Sequence, residues 1–130
     1  MAINNKTILL VEDDATISSI YRAKFEADGF KVLTAIDGAS GLELIKKEAP
    51  DIVMLDVILP GLDGFSVLEE AKKDKSTKDI PVVMLTNLGT PDDKIKGQKM
   101  GAKDYFIKAS LTPGEISEKI KEILKIKKIK

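Results

Sequence analysis

Asp51–Asp56, with the sequence DIVMLD, is the stretch that decides the fold of this 130-residue chain. Four apolar residues stand between two acids, and Pro60 and Gly61 follow soon after the second acid. A short apolar run closed by turn residues is typical of a fully buried strand. Helical patterns on both sides place it at the centre of a parallel sheet. Because ligands of open α/β sheets bind beyond the carboxyl ends of the strands, we expect Asp56 to lie in a functional site.

Four further apolar runs predict the rest of the sheet. The predicted strands are Lys6–Val11, Lys31–Ala35, Val82–Thr86 and Asp104–Lys108. A helical pattern follows every strand, and the five helices are predicted to begin near Asp14, Ala39, Phe65, Thr90 and Thr112. The chain is therefore expected to form one α/β domain over residues 1–130, with its core at about 6–124 and helices on both faces of the sheet.

Two of the helical patterns make specific predictions. The first helix is predicted to direct its apolar residues inward: Ile17, Ile20, Tyr21 and Phe25. The fourth helix is weak, because Gly97 lies inside it and costs about 1 kcal/mol relative to Ala.

The composition excludes several classes of site. The chain has no Cys and no His, so it has no disulfide, thiolate nucleophile, zinc cluster or Ser-His-Asp triad. Its 21 Lys and Arg residues balance 21 Asp and Glu residues, which argues against bulk electrostatic binding of nucleic acid or an anionic membrane. No apolar segment is long enough to span a membrane or to act as a signal peptide, so we expect a soluble cytoplasmic protein.

Polar residues follow the predicted strands at the points where the strands end. These residues are Glu12, Asp13, Asp56, Thr86 and Lys108. Two carboxylates about 4 Å apart repel each other by about 4 kcal/mol at an effective dielectric constant of about 20. A hard divalent cation such as Mg²⁺, together with Lys108, would balance three such charges. This combination suits phosphoryl transfer, with Asp56 as a nucleophile that forms an acyl phosphate.

Several short motifs, taken in order, resemble those of the receiver domain of bacterial two-component response regulators, the CheY-like family. The motifs are Val11–Asp14, Met54–Asp56 followed by Pro60–Gly61 and Asp63–Gly64, Met84–Thr86, Gly101–Ala102, and Asp104–Lys108. The resemblance covers about Lys6 to Leu124. It implies a flavodoxin-like sheet with the strand order 2-1-3-4-5, which is the order of CheY itself.

The resemblance also implies roles for individual residues. Asp56 would be the phosphoacceptor and Lys108 the phosphate-binding lysine. Thr86 would be the switch hydroxyl, and Tyr105 the aromatic residue that turns inward when Thr86 engages the phosphoryl group. A protein of this kind is a signalling domain that catalyses only its own phosphorylation and dephosphorylation.

A metal ion and two kinds of partner are implied in the same way. Mg²⁺ or Mn²⁺ would bind Asp13 and Asp56 directly, the backbone carbonyl of Ile58, and Glu12 through water. A sensor histidine kinase, a phosphotransfer protein or a small phosphodonor would supply the phosphoryl group. A downstream protein would bind the face formed by the fourth helix, the fifth strand and the fifth helix, with no direct contact to membrane or nucleic acid.

The chain departs from the family pattern at several positions. Ala109 follows Lys108 where the family usually has Pro joined by a cis peptide, and we predict a cis bond here, although a non-proline cis bond costs about 2.5–4 kcal/mol. Asn87 stands where a smaller residue is common and would narrow access to the site. The apolar Ile58 and Leu88 would orient an attacking water poorly, so we hypothesise a slowly hydrolysing phosphoaspartate.

Alternatives remain open at this point. The chain could be a constitutive protein-binding module that kept the fold, although the acids and Lys108 argue against this. A flavodoxin would need a phosphate loop rich in Ser, Thr and Gly after the first strand, and here that loop is acidic. An aspartate-dependent phosphatase would need a second Asp where Ile58 stands. The domain could act alone or belong to a longer chain.

Overall fold

Five strands and five helices alternate along the part of the chain that this computed structural model describes, residues 4–87 and 90–126. The strands are β1 Thr7–Val11, β2 Lys31–Ala35, β3 Ile52–Asp56, β4 Val82–Thr86 and β5 Asp104–Ile107. The helices are α1 Ala15–Ala27, α2 Gly38–Glu48, α3 Gly64–Lys73, α4 Pro91–Lys99 and α5 Pro113–Ile123. All strand pairs are parallel, and the sheet order is β2-β1-β3-β4-β5, which confirms the predicted fold.

The sheet is buried on both faces at its centre. Every residue of β3 and β4 is buried, as the apolar runs predicted. One apolar layer packs the sheet against α1 and α5, with Phe25 and Ile116 fully buried in it. The other layer packs it against α2 and α3, with Ile45 and Leu68 fully buried. None of the described helices has the length and apolar character needed to cross a membrane.

Local signals set the helix boundaries as predicted. The Asp14 carboxylate caps α1 by accepting hydrogen bonds from the backbone N–H groups of Thr16 and Ile17. Thr90 caps α4 in the same way, with Pro91 in the first turn. Gly101 follows α4 with φ +99, the left-handed conformation that glycine adopts without steric cost.

One inward-facing residue was predicted wrongly. Ile20 is 53% exposed, whereas Tyr21 and Phe25 are buried. The stripe of α1 that meets the sheet follows the spacing Ile17, Tyr21, Phe25, which repeats every four residues. Ile20 lies beside that stripe, on the solvent side.

Helix α4 is attached to the sheet through one glycine. Gly97 is the only buried residue of α4. A Cβ atom placed there would lie 3.4 Å from the ring of Tyr105 and 3.7 Å from side-chain atoms of Met84 and Phe65, so the helix backbone itself rests on the core. The Lys96 ammonium adds a cation–π contact, 4.4 Å from the centre of the Phe65 ring. The helix therefore contributes little apolar side-chain burial, in agreement with the weak pattern in its sequence.

Candidate functional site

Three carboxylates meet at the carboxyl edge of the sheet. Glu12 and Asp13 directly follow β1, and Asp56 is the last residue of β3, which pairs with β1. One carboxylate oxygen of each residue lies within 4.8 Å of the others. Glu12 and Asp56 are buried, at 2% and 6% exposure, whereas Asp13 is exposed. The sequence-based prediction that these side chains converge is confirmed by this geometry.

Lys108 brings a positive charge to the two buried carboxylates. Its Nζ lies 2.8 Å from Oδ2 of Asp56 and also donates to Oε1 of Glu12. The Lys108 side chain is only 9% exposed. Strand β5 lies three positions away from β1 in the sheet, a distance of about 14 Å at the usual spacing between strands. The lysine and glutamate side chains therefore have to reach towards each other across β3 and β4.

The buried acidic groups of this cluster outnumber its basic groups, because two carboxyl groups share one ammonium group. Burial raises the pKa of Glu12, and the charge of Asp56 adds to that effect, while the hydrogen bonds from Lys108 and from the Asp14 N–H oppose it. Burial acts to lower the pKa of Lys108, but its hydrogen bonds to Asp56 and Glu12 outweigh burial and raise the pKa overall. Lys108 is thus held in its charged form.

The backbone around Asp56 is fixed by the loop that follows β3. The Ile58 N–H donates to Oδ1 of Asp56 at 3.1 Å, so both carboxylate oxygens have partners. The Gly64 N–H donates to the Val57 carbonyl at 2.9 Å. A Cβ atom on Gly64 would lie 2.1 Å from the Asp56 carbonyl oxygen, so α3 can begin this close to the acid only with glycine.

The predicted cis peptide after Lys108 is wrong. No peptide bond among the described residues is cis, and the Lys108–Ala109 bond is trans. The Lys108 N–H donates to the Thr86 carbonyl at 2.7 Å, and the Ser110 N–H donates to the Ile107 carbonyl at 3.0 Å. The first bond extends the pairing of β5 with β4, and the second closes a turn after β5, so Lys108 reaches Asp56 on a trans peptide.

Thr86 and Tyr105 lie close to each other on the adjacent strands β4 and β5. Both are buried, at 2% and 8% exposure, at the end of β4 and within β5. Burial, and after it the charge of Asp93, raises the pKa of the Tyr105 phenol, and the nearby Thr86 hydroxyl opposes the shift. Even so, the Tyr105 hydroxyl completes no well-formed hydrogen bond within the described residues.

Two features of the site were not predicted from the sequence. Glu12 was expected to make a water-mediated metal contact, and its direct ion pair with Lys108 was not predicted. Tyr21 was expected to lie in the core only. Burial raises the pKa of the Tyr21 phenol, on which the charges of Lys108, Glu12 and Asp56 also act. No local sequence signal marks either feature, because the ion pair joins residues 96 positions apart, at the ends of β1 and β5, and Tyr21 reaches the charges only through the packing of α1. Leu88, invoked for phosphoryl lifetime, lies outside the described residues.

The donor set of the cluster fits a divalent cation. Its ligand atoms are carboxylate oxygens, which hard cations such as Mg²⁺ and Mn²⁺ prefer. Lys108 supplies one positive charge against three carboxylates, so the cluster still has an excess of negative charge. Asp13 is exposed, which leaves a path by which an ion could reach the cluster from solvent.

Comparison with known families agrees with this geometry. The family model for the response regulator receiver domain matches residues 8–121. The chain belongs to this family. Receiver domains are signalling domains of two-component systems, and the match confirms the resemblance found in the sequence motifs.

Individual relatives extend the comparison. A protein of Cyanophora paradoxa named "Probable transcriptional regulator ycf27" is 40% identical over 125 residues, which are 96% of this chain and 51% of that protein. The receiver domain thus spans about half the length of the curated relatives it matches. The crystal structure of a CheY-like receiver domain protein from Methanospirillum hungatei has a TM-score of 0.86 at 30% identity, covering 93% of this chain and 94% of the other.

One further structure is relevant to the acidic cluster. The Mn²⁺-bound form of the response regulator Rcp1 has a TM-score of 0.81 at 26% identity and covers 95% of this chain and 97% of its own.

Proposed function

We propose that this receiver domain is a phosphorylation-activated switch in which Asp56 accepts a phosphoryl group. The observation that carries the proposal is the position of Asp56, buried at the sheet edge beside Glu12 and Asp13 with the Lys108 ammonium 2.8 Å away. A buried carboxylate that faces a lysine and two further acids has the charge pattern expected for phosphoryl transfer. The phosphodonor would be the phosphohistidine of a sensor kinase or phosphotransfer protein, or a small acyl phosphate.

The reaction joins an Asp56 carboxylate oxygen to phosphorus as the bond from phosphorus to the donor atom breaks. The donor leaves with the electron pair of that bond, and the product is an acyl phosphate on Asp56. Lys108 balances negative charge on the phosphoryl oxygens, because its ammonium group already lies at the carboxylate that attacks. The domain would catalyse only this step and the later hydrolysis of the acyl phosphate, which releases inorganic phosphate and restores the Asp56 carboxylate.

We further propose that the acidic cluster holds Mg²⁺ or Mn²⁺. Asp13 and Asp56 would bind the ion directly with the backbone carbonyl of Ile58, and Glu12 would contribute through water. When bound, the ion neutralises negative charge that the carboxylates and the phosphoryl group bring together. The carboxylate oxygens within 4.8 Å of one another support this assignment, as does the likeness to a Mn²⁺-bound response regulator.

The output surface in this proposal is the face of α4, β5 and α5. Two features support it. Tyr105 lines an apolar cavity of about 230 Å³ together with Thr90, Pro91, Lys94 and Ile107, so a change at Tyr105 would alter this surface. Helix α4 is held mainly by the contact at Gly97, so little apolar packing opposes its displacement. Phosphorylation would then shift the population of α4 positions through Thr86 and Tyr105, and so change binding to a downstream protein.

Intact-mass measurement after incubation with acetyl phosphate and Mg²⁺ tests the proposal. The expected result is one added phosphoryl group that requires Mg²⁺ and is absent from Asp56→Asn. A wild-type protein whose mass does not change would instead support a binding module that is not phosphorylated. The cytoplasmic location and the extent of the domain over residues 1–130 stay predictions from the sequence.

A further inference from the structure

The two acids after β1 differ in what they contact. Both Glu12 oxygens are engaged: Oε1 accepts from the Lys108 ammonium, and Oε2 accepts from the Asp14 N–H at 3.2 Å. The Glu12 side chain is only 1% exposed. Asp13 is exposed and makes no hydrogen bond or ion pair with any residue in the described ranges. The neighbouring acids are therefore suited to different tasks.

Lys108 pairs with two carboxylates, those of Asp56 and Glu12, which have different roles in the proposed reaction. Asp56 is the group proposed to attack phosphorus, so its carboxylate must give up part of its contact with Lys108 as it reacts. Glu12 is not consumed in that reaction, and its carboxylate is fixed by the turn at Asp14. Burial of all three side chains strengthens the attraction between Glu12 and Lys108 compared with a surface ion pair.

We infer that Glu12 is the positioning residue of Lys108, and that its main role, besides the water-mediated metal contact proposed above, is to hold the lysine ammonium at the site. Glu12 keeps Lys108 beside Asp56 when Asp56 and Asp13 are occupied by other partners. This role also explains how Lys108 stays in place on a trans peptide, because the side chain is fixed at its charged end. The inference rests on the proposed function for its kinetic consequences, but the contact itself can be tested without phosphorylation.

Metal affinity separates the two roles of the neighbouring acids. Calorimetry with Mg²⁺ on the unphosphorylated protein should show at least about tenfold weaker binding for Asp13→Asn. Glu12→Gln, which keeps the shape and an acceptor oxygen, should change Mg²⁺ affinity by no more than about threefold. The exposed Glu43→Gln serves as the matched control. A loss of Mg²⁺ affinity in Glu12→Gln as large as that in Asp13→Asn would overturn the inference.

A double-mutant cycle measures the coupling between Glu12 and Lys108. At saturating Mg²⁺, the rate of phosphorylation by acetyl phosphate should fall about tenfold in Glu12→Gln, because a charge-assisted hydrogen bond is lost. Glu12→Gln combined with Lys108→Gln should be no slower than Lys108→Gln alone, because Glu12 acts through the lysine. Multiplicative losses in the double variant would contradict this.

The contact between Glu12 and Lys108 can also be tested by NMR spectroscopy without phosphorylating the protein. In protein labelled with ¹⁵N-lysine, the Lys108 ammonium group should give an exchange-protected signal, assigned by its absence from Lys108→Gln. The signal should persist in wild type with Mg²⁺ and be lost from Glu12→Gln under the same conditions. Loss of the wild-type signal on addition of Mg²⁺ would refute the role of Glu12. This result is independent of phosphorylation, so it distinguishes failure of the inference from failure of the proposed function.

Discussion

The ammonium nitrogen of Lys108 lies 2.8 Å from Oδ2 of Asp56, although β4 separates the strands from which the two residues come. Asp56 ends β3, and Lys108 follows the last residue of β5. Their ion pair links the ends of β3 and β5 at the edge of the sheet where the acidic residues lie. The same contact makes the site dependent on one lysine for charge balance among the described residues, which has consequences for both stability and chemistry.

Removal of that lysine should destabilise the metal-free domain. Lys108→Gln leaves Glu12 and Asp56 buried without their cation, and loss of one partner from a buried ion pair costs about 3 kcal/mol. We expect a decrease of about that size in the free energy of unfolding, measured by urea denaturation without divalent cations. Mg²⁺ should restore more stability to the variant than it adds to wild type, because it replaces the lost charge.

Lys103→Gln is the control for this experiment, because Lys103 is exposed on the same part of the chain. Its free energy of unfolding should change by less than about 0.5 kcal/mol. Equal stability of Lys108→Gln and wild type without metal would contradict the buried ion-pair geometry.

Gly61, in the loop after β3, and Gly64, the first residue of α3, should respond differently to substitution by alanine. Gly64→Ala places a Cβ atom 2.1 Å from the Asp56 carbonyl oxygen, so we expect a loss of about 3 kcal/mol in unfolding free energy and slower phosphorylation. Gly61 has φ +70 but open space around it, so Gly61→Ala should cost only about 1 kcal/mol of backbone strain. Urea denaturation measures both values, and equal costs would show that the approach of α3 to Asp56 is looser than described.

Ile58 should lengthen the lifetime of the phosphorylated state. Its side chain is 68% exposed two residues after Asp56, where it offers no hydrogen bond to an attacking water. Ile58→Asn would supply such a bond, and about 1 kcal/mol of interaction corresponds to about fivefold faster hydrolysis. The half-life can be followed by intact mass after the phosphodonor is removed.

Ile36→Asn is the matched control for this measurement, since Ile36 is 67% exposed but follows β2 rather than β3. The half-life of the phosphorylated Ile36→Asn variant should equal that of the phosphorylated wild-type protein. An unchanged half-life in Ile58→Asn would refute the hypothesis.

Asp28 should contribute stability that depends on pH. Burial acts to raise its pKa, but the Ser117 hydroxyl, Lys121 and Lys24 outweigh burial and lower the pKa below the ordinary value of 3.8. A lowered folded-state pKa means that the contribution is fully present above the unfolded value and is lost as pH falls through the folded value. Asp28→Asn should therefore lower the unfolding free energy by about 1.5 kcal/mol at pH 7, and this difference should shrink below about pH 3.8.

Urea denaturation across this pH range makes the comparison, with the exposed Glu43→Gln as the control. A difference between Asp28→Asn and wild type that stays constant down to the lowest pH would contradict the assignment.

The sequence predicted the framework because its signals are local. The apolar run before Asp56, the capping Asp14 and Thr90, and the glycine within α4 each act through residues a few positions away. Strand order was available through the family motifs, since local patterns alone leave several topologies open. The convergence of Asp13 and Asp56 followed from the general rule for parallel strand ends.

The predictions that were wrong concern features that depend on contacts between segments distant in the sequence. Ile20 satisfied the helical spacing of α1, but the width of the buried stripe is set by how the helix lies on the sheet. The cis peptide was inferred from the family pattern and from the need for Lys108 to reach the phosphoryl group, whereas Glu12 and the turn at Ser110 position the lysine in the trans form. Such choices are decided by packing and charge in the assembled site.

The most direct measurement of the central claim locates the phosphoryl group. After incubation with acetyl phosphate and Mg²⁺, the protein is reduced with borohydride, which converts an acyl phosphate to an alcohol, and is digested for peptide mass spectrometry. The account predicts modification at Asp56 and at neither Asp13 nor Glu12. Modification at another acid, or an unmodified Asp56 in folded protein that binds Mg²⁺, would contradict it.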